Sequence, residues 1–349
     1  MTMTAEISPA QLANSSATVV GRDSVIDTMR GIAILMVIGI HSLHQPLMAS
    51  WEISVDAALR PCVPIFLFVS GYLSVLSGRV PLARRFKAIL IPYAIAFVAA
   101  YFYMAQHNPA MDHRLMATGA RFILAYVFVY YYVFVYAGCT ALLWLVLRPS
   151  RDGIPPSQAR LAIRLTLAMM VGLMVGSYLD PLLFNFGVSV SLVEEFRLRD
   201  IPFWFGFAAF GGLVAMPGVR AALTSMRAPL AAAMLLFYVA YAAARYFQIG
   251  DSAAYDSIAF FFYAALLCSV LFAINVQSPW FATLGSGSYF IYLWHIFIVM
   301  VLRDHLAFWQ FGALADAAIT ATVTIAISIA ALMAVRKYAP FRLAQWLGA

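Results

Sequence analysis

Asp27, Arg30 and His41 interrupt an otherwise aliphatic run, Asp27-Thr-Met-Arg30-Gly-Ile-Ala-Ile-Leu-Met-Val-Ile-Gly-Ile-His41. An α-helix turns about 100° per residue, so eleven steps return His41 to within roughly 20° of Arg30, and Asp27 lies about 60° away. The three therefore share one stripe, with about 16 Å of helix axis between Arg30 and His41. A guanidinium grips anions and a neutral imidazole takes protons. Inside a bilayer such groups are costly unless they face a partner or a polar cavity, so the trio predicts a wet channel. A structural Asp27–Arg30 pair beside a satisfied core histidine is the alternative reading.

Three further groups invite chemistry. Arg84, Arg85 and Lys87 cluster just before Ala-Ile-Leu-Ile-Pro92-Tyr93. Three cations at a helix start suit a phosphorylated ligand, and they equally suit a stop signal reaching to lipid headgroups. Ser288, Tyr292 and His295 recur at i, i+4 and i+7 in the run Leu284 to His295, a second polar stripe in an apolar helix. Interhelical hydrogen bonding would account for it alone, but two histidine-bearing stripes together favour a shared cavity. Ser70 and Gly71, in Pro64-Ile-Phe-Leu-Phe-Val-Ser70-Gly71-Tyr72, permit close helix approach. His44 stands three residues after His41, a spacing open to a metal, yet no carboxylate or cysteine is near enough in sequence to complete a site, and none is expected. Cys62, Cys139 and Cys268 lie in separate apolar runs without metal spacing and read as small core residues. Walker, dinucleotide-fingerprint and HExxH motifs are absent from the sequence.

The elements that must position these residues are membrane helices. The chain is 64% apolar and 11% charged over 349 residues, with a mean hydropathy of +0.87, far beyond the needs of a soluble domain. Apolar runs long enough to span a bilayer fall at about 25–45, 61–77, 86–105, 121–147, 161–180, 201–217, 228–247, 256–275, 285–302 and 312–335. The expectation is an all-α polytopic protein of about ten transmembrane helices. The fourth run is long enough to tilt or to extend beyond the membrane. Residues 1–20 read as a disordered tail, residues 21–349 as a single integral-membrane domain, and the first helix as an uncleaved signal anchor.

Charge supports an orientation. With ten spans and cytoplasmic termini, Arg60, Arg114, Arg121, Arg197, Arg199, Arg245 and Arg303 fall outside, and the other fifteen of the 22 Lys and Arg fall inside. This is the asymmetry of the positive-inside rule. The net charge of +7 is thus a topology signal and no argument for nucleic-acid binding.

Taken in order, these segments resemble the acyltransferase-three family of integral membrane O-acyltransferases. Arg30 and His41, after the Asp-x-x-Arg-Gly opening, match its arginine, ten residues, histidine pattern. Val63 to Leu73 resembles its Pro-Leu-Phe-Phe-x-x-Ser-Gly-Tyr/Phe segment. Arg84 to Tyr93 resembles its basic entry ending in Leu-Ile-Pro-Tyr, and Leu284 to His295 its Leu-Gly-x-x-Ser-Tyr-x-x-Tyr-Leu-x-His segment. Each motif is weak alone; four in order, over about residues 22 to 335, are specific. One departure stands out. The family often has Arg-x-x-Arg where this chain has Arg84-x-x-Lys87, which keeps the charge but not the bidentate fork. No soluble esterase-like domain follows, unlike in longer members.

The resemblance implies transfer of an acyl group, usually acetyl from acetyl-coenzyme A, to a hydroxyl of a cell-surface or exported carbohydrate or glycolipid. It also implies a multi-pass protein of a bacterial inner membrane. No permanently bound cofactor is implied, because acyl-coenzyme A is a substrate. In that setting Arg84, Arg85, Lys87 and Arg30 would hold the donor. Asp27 would orient Arg30 through the i, i+3 pair. His41 would remove the acceptor proton or carry the acyl group itself. Ser70, His44, Tyr292 and His295 would line the cavity, with a structural hydrogen bond the expected role of His295. A polytopic transporter or flippase for glycans or lipid-linked sugars is the rival, and a non-catalytic partner in a polysaccharide export assembly is a third possibility. Against the transporter, the sequence has no inverted repeat.

Overall fold

The computed structural model describes residues 23–108, 110–127, 129–149, 155–249, 257–306 and 308–349, so the expected tail at 1–20 lies outside the described residues. Among the described residues there are sixteen α-helices, one short 3-10 turn and no strand. They begin with α1 (Ser24–Ser42), α2 (Ser50–Leu59), α3 (Cys62–Leu76), α4 (Leu82–His107), α5 (Leu115–Ile123), α6 (Tyr131–Leu147), α7 (Gln158–Asn185) and α8 (Val190–Leu198). Then follow α9 (Ile201–Val214), α10 (Val219–Ser225), α11 (Arg227–Tyr246), α12 (Ile258–Ile274), α13 (Pro279–Ser286), α14 (Ser288–His305), α15 (Ala313–Tyr338) and α16 (Phe341–Leu347).

Each apolar run is helical, but fewer than ten pass a strict test of length. Six candidate spans are long and apolar enough to cross a bilayer: α1, Ser50–Leu76, α4, α7, α11 and α15. Two bent pairs raise the number to eight, one joining Val190–Val214 to α10 at 94° and the other joining α13 to α14 at 78°. The helices α6 and α12 have 17 residues each, about 26 Å of axis against a hydrocarbon core of about 30 Å.

Two expected spans are interrupted. The long run 121–147 is not one tilted helix: α5 stops at Ile123, Ala125 takes a positive φ of 50°, and α6 starts only at Tyr131. The run 285–302 breaks at Gly287, where a β-carbon would lie 2.2 Å from a Leu332 methyl. The Leu332 side chain of α15 thus packs against the bend.

Burial grades from centre to rim. In the Ser50–Leu76 window 72% of residues are buried, against 17% in α7 and 6% in α11. The outer helices expose Leu167, Met174, Leu235 and Leu236, large apolar side chains suited to lipid. At the centre, glycines bring backbones into contact. A β-carbon on Gly31 would sit 2.0 Å from the Phe281 carbonyl oxygen, and one on Gly285 would sit 1.9 Å from that of Asp27. These glycines join α1 to α13, while Gly71 and Gly211 join α3 to α9 in the same way, the close approach that the Ser70-Gly71 pair predicts. Cys62, Cys139 and Cys268 are free thiols buried in the core.

Several buried ionic groups among the described residues are paired. Asp56 binds both Arg60, at 2.6 Å, and Arg245. Arg197 pairs with Asp180, and Arg199 with Glu195. Removing Asp56 or Asp180 would leave a desolvated guanidinium behind, a cost of about 3–5 kcal/mol.

Candidate active site

A cavity of about 300 Å³ opens between α1, α3, α4, α6 and α14, and its polar lining includes Arg30, Ser70, Arg85, Tyr136, Ser288 and Tyr292. That is on the order of ten water volumes, enough for an extended flexible chain and too little for a nucleotide as well.

Two guanidiniums enter it from different helices. Arg30 reaches across from α1, its Nη2 donating to Ser288 Oγ at 3.0 Å while Nη1 stands 3.6 Å from Asp27 Oδ1. The i, i+3 pair read from the sequence is therefore present, with Asp27 buried behind Arg30. Arg85 turns inward from α4 and donates to Ser74 Oγ at 2.7 Å, and the Ser74 hydroxyl donates to the Ser70 carbonyl at 2.5 Å. Arg84 and Lys87 are exposed and lie outside the cavity lining. The cationic triplet thus divides into one inward and two outward charges, as a 100° turn per residue requires. The α4 N-terminus has no side-chain cap.

Tyrosines form the rest of the wall. Tyr289 OH donates to the Ile89 carbonyl at 2.7 Å, and Tyr292 OH to that of Val129 at 2.6 Å. Behind them, Tyr130 OH donates to the Leu293 carbonyl at 2.8 Å. With their hydroxyls tied to backbone, these rings fasten α14 to α4 and to the segment that leads into α6. Ser70 Oγ is 3.5 Å from Tyr136 OH. The sequence reading missed Tyr132, Tyr136 and Tyr289; the i, i+4 spacing of Tyr132 and Tyr136 in an apolar helix is a signal that would have found the first two.

His41 and His295 lie one step beyond the cavity. Their ring centroids are 5.4 Å apart, and the Tyr292 ring, on the cavity wall, is 6.2 Å from that of His295. The two polar stripes therefore meet twice, at Arg30 with Ser288 and at His41 with His295. His295 is fully buried and His41 partly so. The ends of the two helices are clasped where Arg303 Nη2 donates to the Leu43 carbonyl at 2.8 Å, a contact the sequence did not suggest.

His44 departs from its expected place. α1 ends at Ser42, so helical spacing no longer aligns His44 with His41. Its exposed ring stands 4.0 Å from Asp316 Oδ2 of α15 and does not line the cavity.

The family model for the acyltransferase-three domain, described as an acyltransferase domain, matches residues 23–333. The chain belongs to the acyltransferase-three family. It is an acyltransferase and a multi-pass membrane protein, and the matched region contains every residue named in the cavity and both histidines. Comparison with curated proteins and with solved structures gives no match.

Proposed function

We propose that this acyltransferase moves an acetyl group from cytoplasmic acetyl-coenzyme A to a hydroxyl of a cell-surface or exported carbohydrate or glycolipid, in the plasma membrane of a bacterium. The observation that carries this reading is one narrow cavity with Arg30 and Arg85 on its wall and the His41–His295 pair just past Tyr292. Arg85 and the exposed Arg84 and Lys87 meet the donor phosphates at the mouth, where the uncapped α4 N-terminus adds its backbone donors. The pantetheine arm runs inward past Arg30, whose fork is held by Asp27 and Ser288.

His41 acts as general base. It takes the acceptor O–H proton while the oxygen attacks the thioester carbonyl; the C–S bond breaks, and the proton passes on to the departing thiolate sulfur. Carriage of the acetyl group on His41 before transfer is the variant of this step. The polypeptide crosses the membrane ten times with both termini in the cytoplasm. α6 and α12 then serve as short crossings, and α10 lies at the inner surface. Of the seven cations on the outer side in this arrangement, Arg60, Arg114, Arg197, Arg199 and Arg245 are each ion-paired to an acid.

The test is to incubate the purified protein with radiolabelled acetyl-coenzyme A and cell-envelope glycans. Label on a carbohydrate supports the proposal. Donor binding without transfer of label to any acceptor overturns it.

A further inference from the structure

We infer that His295 is a positioning residue for His41, accepting a hydrogen bond from it and so choosing which His41 nitrogen is left free to act as base. The inference rests on the proposed function for the role of His41, and on geometry for the rest. His295 Nδ1 lies 3.0 Å from the Ile291 carbonyl oxygen and 2.8 Å from that of Tyr292. Carbonyl oxygens only accept, so Nδ1 carries the proton. In a neutral imidazole Nε2 then holds the lone pair. That Nε2 is buried and has no hydrogen-bond partner, and the ring at 5.4 Å is His41. Two imidazoles joined by an N–H···N bond have centroids about 5 Å apart, so a small rotation of either ring makes the bond.

An acceptor fixed by two backbone carbonyls demands a donor on the facing ring. The His41 nitrogen turned toward His295 must therefore bear hydrogen, and its other nitrogen keeps the lone pair that removes the acceptor proton. When His41 becomes an imidazolium, both its nitrogens donate and the bond to His295 persists through the step. The buried carboxylate familiar behind a catalytic histidine is here replaced by a second imidazole, which orients without adding a negative charge to a membrane interior.

Two amide variants separate this role from a structural one. In His295→Gln the side-chain oxygen reaches to about the Nε2 position and can accept from His41. In His295→Asn the amide reaches only to about the Nδ1 position, keeping the bond to the helix carbonyls but losing His41. We expect both variants to bind acetyl-coenzyme A as the wild type does. Gln should retain turnover within about fivefold, and Asn should lose roughly 10- to 100-fold in kcat with KM unchanged. The opposite order, Asn active and Gln impaired, or equal turnover in the two, overturns the inference. Should neither variant fold, 15N-histidine-labelled wild-type protein in lipid is expected to show an N–H···N coupling between two imidazoles, and its absence rejects the pair. Failure of the wild type to transfer acetyl at all would instead overturn the proposed function, so the two failures are distinguishable.

Discussion

At the scale of single residues, the proposed function divides the site into an anchoring end and a reacting end, and substitutions should respect that division. His41→Ala should abolish transfer, by about 10²–10⁴-fold for a lost general base, while insertion and donor binding persist. Near-full activity in that variant would remove His41 from the chemistry. The anchoring end gives a contrast between neighbours. Arg85 enters the cavity and Arg84 does not, so Arg85→Ala should weaken acetyl-coenzyme A binding at least tenfold, the equivalent of about 1.5 kcal/mol for a charge-assisted bond. Arg84→Ala should have the smaller effect, and turnover at saturating donor should move little in either, because phosphates are alike in ground and transition states. Calorimetric titration of the two variants decides the point; equal affinities would mean that Arg85 has no special part in donor recognition. Arg30→Lys tests the fork: a lysine keeps the charge but cannot face Asp27 and Ser288 together. Its kcat should fall more than its donor affinity.

At the scale of elements, the polar residues depend on where backbones touch. α1 meets α13 through Gly31 and Gly285, and α13 leads directly into the helix that carries Ser288, Tyr292 and His295. Gly31→Ala would drive a methyl into the Phe281 carbonyl; overpacking of this kind costs about 1–3 kcal/mol. A lower thermal midpoint in detergent and a loss of activity should appear together, and an unchanged midpoint would mean that the helices can separate without strain. The helices themselves were legible as apolar runs, and the Arg30–Asp27 pair as an i, i+3 spacing. The breaks were not. A hydropathy average over some twenty residues passes smoothly over Ala125, which sits in apolar surroundings, and it also averages out the Gly-Ser-Gly-Ser run at 285–288, whose small polar residues are a local signal for the bend. The inward turn of Arg85 away from Arg84 and Lys87 was available from helical geometry, although a cluster of like charges invites reading as a unit. The meeting of His41 with His295 lies in neither run, because it is set by how α1 and α14 cross.

At the scale of the whole molecule, the charge asymmetry supports the proposed orientation, and burial marks the faces open to lipid. The apolar faces of α7 and α11 are left for lipid, and the buried acids Asp56 and Asp180 are spent on arginines that the orientation puts outside. A reporter active only outside the cytoplasm should therefore score when fused near Gln106 or Glu194 and stay silent near Gly78 or Arg220. Reversal at two of these positions would sink both the orientation and the cytoplasmic entry of the donor. Asp56→Ala should be more damaging than Arg245→Ala, since it strands two guanidiniums, Arg60 and Arg245, whereas loss of Arg245 leaves the Asp56–Arg60 pair in place; the folded yields of the two variants check the order, and equal yields would mean that Arg60 does not depend on Asp56.

One further consequence follows from α1 carrying both Arg30 and His41. Their separation is an intrahelical distance, and an α-helix scarcely stretches. A thicker or thinner bilayer makes helices tilt and slide past one another, leaving that separation intact. The contacts that slide are those between α1 and α14: Arg30 with Ser288, and His41 with His295. On the proposed mechanism, membrane composition would thus act as a detuning of the two facing imidazoles, with the distance from Arg30 to His41 held constant by a single rigid rod.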